Sequence, residues 1–195
     1  MAITTDQIKQ LRDATGVSVM QCKNALEEAG GDMDKAKIIL QKLSAKAASK
    51  KADRTLGSGT VASYIHGGGA VGAMVEVQCE TDFVARNEDF QSFARDVAMH
   101  VAASVPEFLS VDDINEDAKS KAKEVFEKEA EGKPDNIREQ VIDGKLKAYF
   151  KEKTLLEQDF IKDPSKTISD LVQEAIQKFG EKIEITRMAR FGVLE

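Results

Sequence analysis

Cysteine and histidine are scarce: the 195-residue chain has two of each, Cys22 and Cys79, His66 and His100. The cysteines stand far apart, each inside an apolar pattern. They read as small core residues of a reducing compartment, not as a disulfide or a metal pair. Neither histidine has a second His or a Cys at ligand spacing, which argues against zinc, and no metal or other cofactor is expected. Long apolar runs are missing too, so nothing reads as a membrane span. The opening MAITTDQIKQLRDATG lacks both the layout of a signal peptide and the Arg/Ser-rich character of a transit peptide. The cytoplasm is the expected location. Positive charge is not in excess: 28 basic residues against 34 acidic ones give a formal charge of −6. Phosphate binding relies on basic surface, so nucleic acid is not expected as a direct partner.

The residues of an active site are also wanting. Cys79 with His66 or His100 is the one Cys–His option near the strand region, and Cys79 lies in the apolar register of a buried structural thiol. No serine sits in a nucleophile elbow, and no phosphate loop or dinucleotide fingerprint occurs. Gly67-Gly68-Gly69 joins two strand patterns, whereas a phosphate cradle runs from a strand into a helix N-terminus, so it reads as a turn. The acidic residues fall mostly on polar helix faces. The expectation is a protein that binds and is not an enzyme.

What is present is a clear succession of elements, with enough apolar residues, 42% of the chain, to build a real core. Thr4-x-x-Gln7 and Ser18-x-x-Gln21 are capping-box patterns, and Asp32 is a third helix-start residue after Gly30-Gly31. Apolar stripes follow each: Ile8 and Leu11; Cys22, Ala25, Leu26 and Ala29; Met33, Ala36, Ile39, Leu40 and Leu43. These make a compact three-helix module over residues 1–54. The segment AKAASKKADRTLGSG shifts to Ala and Lys and then to Gly and Ser, a helical extension running into a linker. Lys42, Lys46, Lys50 and Arg54 share a basic helix face there, read as solvated.

The remainder, 55–195, reads as an α+β core domain. Val71, Ala73, Val75, Val77 and Cys79 share one face of a strand, and Glu76, Gln78 and Glu80 the other. Asn87 is a helix start, followed by Phe90, Phe93, Ala94, Val97, Ala98 and Val101 on one side. Two helices joined by EGKPD predict an antiparallel hairpin within 115–153. A helix stopped by Gly180 and a strand alternating through Ile183, Ile185, Ala189, Phe191 and Val193 close the chain. The fold class is α+β: a three-helix module, then a small antiparallel sheet packed by helices.

Between the second strand and the long helix lies TDFVARN, with a phenylalanine where a polar junction is expected. Register alone favours a core plug, because Phe83 continues the odd-numbered inward series. Its position on a loop of a rigid scaffold suits a presented binding residue instead.

LRDATGVSVMQCKNAL and TDFVARN, with MHVAASVPEF, EGKPDNI and LLEQDFIKDPSKT after them in order, resemble the bacterial translation elongation factor Ts family over nearly the whole chain. The resemblance implies a guanine-nucleotide exchange factor for elongation factor Tu, with an N-terminal ubiquitin-associated-like module. Leu11, Arg12, Val19 and Met20 match the residues that dock on the partner's nucleotide-binding domain. Thr81, Asp82, Phe83 and Val84 match the element that dislodges the partner's magnesium, Phe83 being the intruding side chain. His100 matches a further partner-binding position. Longer members carry a duplicated core; this chain has the single-core form, so a homodimer is expected. The other reading is a non-catalytic adaptor whose module binds a partner while TDFVARN seals the core.

Overall fold

The helix starts form as local chemistry dictates, in a computed structural model that describes residues 3–132 and 134–194. Thr4 opens α1 (Thr5–Thr15) with a full capping box: its hydroxyl accepts the Gln7 N–H at 3.2 Å, and Gln7 Oε1 accepts the Thr4 N–H at 3.0 Å. Ser18 opens α2 (Val19–Glu28) with half of that motif. It accepts the Gln21 N–H, but the Gln21 side chain bonds the serine hydroxyl and not its backbone. Asp32 caps α3 (Met33–Lys51) by accepting the N–H groups of Asp34 and Lys35 at 3.0 Å each. Each cap satisfies helix-end donors that would otherwise be orphaned.

The three apolar stripes meet in one buried cluster of Leu11, Val17, Cys22, Ala25, Leu26, Ala36 and Leu40. A fully buried leucine such as Leu11 or Leu26 contributes about 1.5–3 kcal/mol. Leu43, expected on the α3 stripe, is exposed. Lys42, Lys46, Lys50 and Arg54 are all exposed, and Arg54 also pairs with Glu80 at 3.1 Å.

Strand β1 (Ser58–His66) turns through Gly67–Gly69 into β2 (Val71–Cys79). Along β2 the odd-numbered Ala73, Val75, Val77 and Cys79 are buried, as the period of two requires. With β5 (Ile183–Gly192) these form an antiparallel sheet in the order β1-β2-β5. The alternation expected along β5 holds only in part. Ile183 and Ile185 are buried, but Ala189 and Phe191 are exposed, because the odd-numbered residues are covered only in the first half of the strand.

Short α4 (Asp82–Ala85) precedes α5 (Glu88–Ser104), whose start is fixed by Asn87 Oδ1 accepting the Asp89 N–H at 2.9 Å. Helices α6 (Glu116–Glu129) and α7 (Asp135–Lys153) form the expected hairpin. Phe126 meets Tyr149 with ring centroids 5.8 Å apart, and Glu129 pairs with Lys145, so rising positions on one helix match falling positions on the other. Lys133, in the turn expected between them, lies outside the described residues. A two-stranded pair, β3 (Asp159–Phe160) with β4 (Asp163–Thr167), leads into α8 (Ile168–Phe179), which ends at Gly180 with φ 74°. The fold is α+β.

The chain divides into two compact units. One holds the residues through Ala62, with Glu76–Asp96 and Ser169–Thr186; the other holds Ser63–Val75, Val97–Ile168 and the residues from Arg187 on. In the first unit Phe90, wholly buried, takes Phe179 edge-on at 5.8 Å, a favoured aromatic geometry. No helix among the described residues is long and apolar enough to cross a membrane.

Candidate protein-docking site

The junction after β2 is a helical turn, not a loop. Thr81 is the last extended residue, with φ −126° and ψ 155°, and its hydroxyl caps α4 by accepting the Val84 N–H at 3.4 Å. From there each residue advances about 100° around a helix axis where a strand would alternate by 180°. Val84 and Ala85 therefore turn inward and are buried, while Phe83 is 81% exposed. The register expectation for Phe83 is corrected: the strand's period ends before it, and Val84, matched with the magnesium-dislodging residues, is the core plug. Asp82 stays at the surface, paired with Arg86 at 3.0 Å.

The turn is held from behind by two carboxylates. Glu181 Oε2 accepts the N–H groups of Glu80 and Thr81 at 3.0 Å each, and its Oε1 accepts the Thr81 hydroxyl at 2.6 Å. Glu80 Oε1 accepts the Lys182 N–H at 2.5 Å and one N–H of Arg54 at 3.1 Å. That backbone bond from Lys182, then Arg54, holds the Glu80 carboxyl below its ordinary value. Cys79 donates to the Thr81 carbonyl at 3.2 Å. Burial first, and then the charge of Glu181, pushes its thiol up. Burial likewise raises the Cys22 thiol. Neither sulfur has the lowered pKa of a reactive thiolate.

The module presents a second surface within the same unit. Arg12 is exposed, and Val19 and Met20, the first two residues of α2, are 55% and 65% exposed. Two adjacent large apolar side chains thus stand in water at the start of α2. Leu11, grouped with them on resemblance, has no exposed surface and anchors the module's core. As a contact residue it is corrected; its role is to fix the helix that carries Arg12. Ile38 on α3 is exposed as well, a position the periodicity of the sequence did not mark.

His100 is also corrected as a contact. It is fully buried in the second unit. The Ile161 N–H approaches its Nδ1 at 3.4 Å, which makes Nδ1 the acceptor and leaves Nε2–H to donate to Gln158 Oε1 at 2.9 Å. Gln158 in turn donates to the Ser104 and Glu152 carbonyls at 3.2 and 2.6 Å. Burial lowers the His100 pKa and so favours the neutral ring. It ties α5 to the strand after α7.

An exposed aromatic on a capped, carboxylate-backed turn and an exposed apolar helix start, both in the first unit, are features of a protein that binds another protein. The family model described as Elongation factor TS matches residues 26–195. The chain is 49% identical to elongation factor Ts of Carboxydothermus hydrogenoformans over 195 residues, 99% of this chain and 90% of that one. It is 47% identical to that of Caldanaerobacter subterraneus subsp. tengcongensis, covering 97% and 96%. With that of Coprothermobacter proteolyticus it shares 45% identity over the full length of both. The chain belongs to the elongation factor Ts family, and with that family goes the role of nucleotide exchange factor for elongation factor Tu in translation elongation.

Proposed function

We propose that this protein binds GDP-bound elongation factor Tu through Arg12, Val19 and Met20 and drives Phe83 against the elements that hold the partner's magnesium, with Asp82 in contact nearby. The observation that carries this reading is Phe83, 81% exposed on a helical turn capped by Thr81 and backed by Glu181. A GTPase holds GDP largely through phosphate contacts and magnesium. Magnesium demands near-ideal octahedral geometry at about 2.0–2.1 Å, so a small displacement of its surroundings weakens it sharply. Linkage makes the effect reciprocal: a factor that weakens GDP is itself weakened by GDP, binds the empty GTPase best, and is displaced by GTP. No bond is made or broken, so the protein is not an enzyme, and the action needs neither nucleic acid nor a membrane. A cytoplasmic location follows from work in translation.

Release of labelled GDP from elongation factor Tu is the direct measurement. It accelerates saturably with added protein on this reading, and an unchanged rate at saturation leaves only an adaptor.

Two copies of the chain pair as a homodimer. In support, Ile65, Met74, Phe191 and Val193 line an apolar groove of about 440 Å³ within the second unit, and Phe191 is 73% exposed. An apolar groove of this kind on a sheet face is a ready surface for a second copy. Sedimentation at micromolar concentration is expected to give a dimer, and Phe191→Asp a monomer. A wild-type monomer at that concentration removes this part of the reading.

A further inference from the structure

The exchange reading leaves a mechanical question. A four-residue helix such as α4 has no stability of its own, since one turn costs more order than its bonds return. A wedge on such a turn transmits force only if something stiffer stands behind it. Docking through the module also helps only if the module and the wedge move as one body.

Both demands meet in the end of α8 and the residues after it, all inside the first unit. Gln177 bonds Ser44 on α3. Lys178 lays its stem over Gly16, the left-handed end of α1; a Cβ at Gly16 would stand 3.3 Å from its Cδ. The same Lys178 places its ammonium 2.9 Å from Asp89, at the start of α5. Gly180, at φ 74°, then turns the chain back. That turn lets Glu181 take all three donors of Glu80 and Thr81, while the Lys182 N–H goes to Glu80. Six consecutive residues thus hold the module on one side and the wedge on the other.

We infer that the Gln177–Lys182 segment couples the docking module to the Phe83 turn, and that Glu181 is a positioning residue for nucleotide exchange. The inference rests on the exchange reading. Charge-assisted bonds from one carboxylate to three donors fix both the cap residue of α4 and the peptide before it. A load on Phe83 passes through Thr81 to Glu181 and into α8, which the module also grips. Without Glu181 the factor still docks, but the turn yields instead of the partner.

The test uses Glu181→Ala and Glu181→Gln in the full chain, with GDP release followed across factor concentration. For Glu181→Ala the plateau rate is expected to fall about tenfold, while the half-saturating concentration stays within about twofold, the pattern of an interaction used only in the productive step. Glu181→Gln keeps one accepting oxygen and recovers part of the plateau. In the free protein, amide exchange at Glu80 and Thr81 quickens in Glu181→Ala, which reports the loosened turn without any partner. If wild type accelerates release and the two Glu181 variants share its plateau, the coupling inference falls alone. A loss confined to half-saturation also overturns it. Should Glu181→Ala fail to fold, the plateau of Glu181→Gln decides in the same way. If wild type itself leaves GDP release unchanged, the exchange reading falls and takes this inference with it.

Discussion

Phe83→Ala is expected to slow factor-stimulated GDP release by roughly 10- to 100-fold while leaving the stability of the free protein within about 0.5 kcal/mol of wild type. The two halves of this expectation have one cause. Phe83 is 81% exposed, so truncation removes almost no surface that folding had buried. The core beneath it is sealed by Val84 and Ala85, which the substitution does not touch. At an interface the same ring is a large, stiff apolar body with only two rotatable bonds, the kind of side chain that dominates binding energetics. Phe90, seven residues on, is the control. It is fully buried against Phe179, and Phe90→Ala is expected to cost about 3–5 kcal/mol by leaving a cavity. Thermal unfolding of both variants beside GDP-release kinetics checks the pair. A Phe83→Ala protein that melts far below wild type, or that releases GDP at the wild-type rate, defeats the reading of Phe83 as the wedge.

The second large effect concerns His100. His100→Leu is expected to destabilise the protein by about 2–3 kcal/mol at pH 7, because Gln158 Oε1 and the Ile161 N–H each lose a buried partner. The wild-type protein should also carry a pH signature that the variant lacks. Burial, opposed by the bond to Gln158, sets the folded pKa of His100 below its ordinary 6.5. Below pH 6.5 the unfolded chain therefore takes up a proton that the folded ring resists, and acid favours unfolding. The stabilising contribution is complete above pH 6.5 and is lost as pH falls toward the folded pKa. The carboxyls of Asp32, Glu80 and Asp163, held below ordinary values of 3.8, 4.5 and 3.8, give the same sign but act at lower pH. Melting temperatures between pH 7 and pH 5 thus isolate the histidine: wild type declines and His100→Leu is flatter. Equal slopes for the two proteins exclude His100 as the titrating group. Since the ring has no exposed surface, any loss of partner binding in the variant arises through α5 and the strand it is tied to, not through a lost contact.

How much of this is legible in the sequence follows from the range of the interactions involved. The caps at Thr4 and Asp32, the helix start at Asn87, the stop at Gly180 and the alternation of β2 depend on residues within about four positions of one another. Their periods and end signals are written in the local pattern. Those features fix the α+β class, the three-helix module, the hairpin and the position of the TDFVARN junction. The inward reading of Phe83 failed because it extended a strand's period of two across a cap that starts a helix. The cap was Thr81, and the pattern Thr81-x-x-Val84 carries no acidic or amide side chain to announce a capping box. Similarly, Leu11 and Val84 sit in motifs associated with a partner yet are core residues. A motif records which residues travel together, not which of them reach the surface.

The sequence by itself determined which elements form and in what order, because backbone sterics, caps and apolar periodicity are local. Only the tertiary structure decided which apolar residues those elements leave in water: Phe83 and Met20 exposed, Leu11 and His100 buried. It alone brought Glu181 to Thr81, 100 residues away, where its carboxylate takes three donors of the turn. No local pattern encodes those bonds, since they exist only once α8 has packed in the unit that carries the junction.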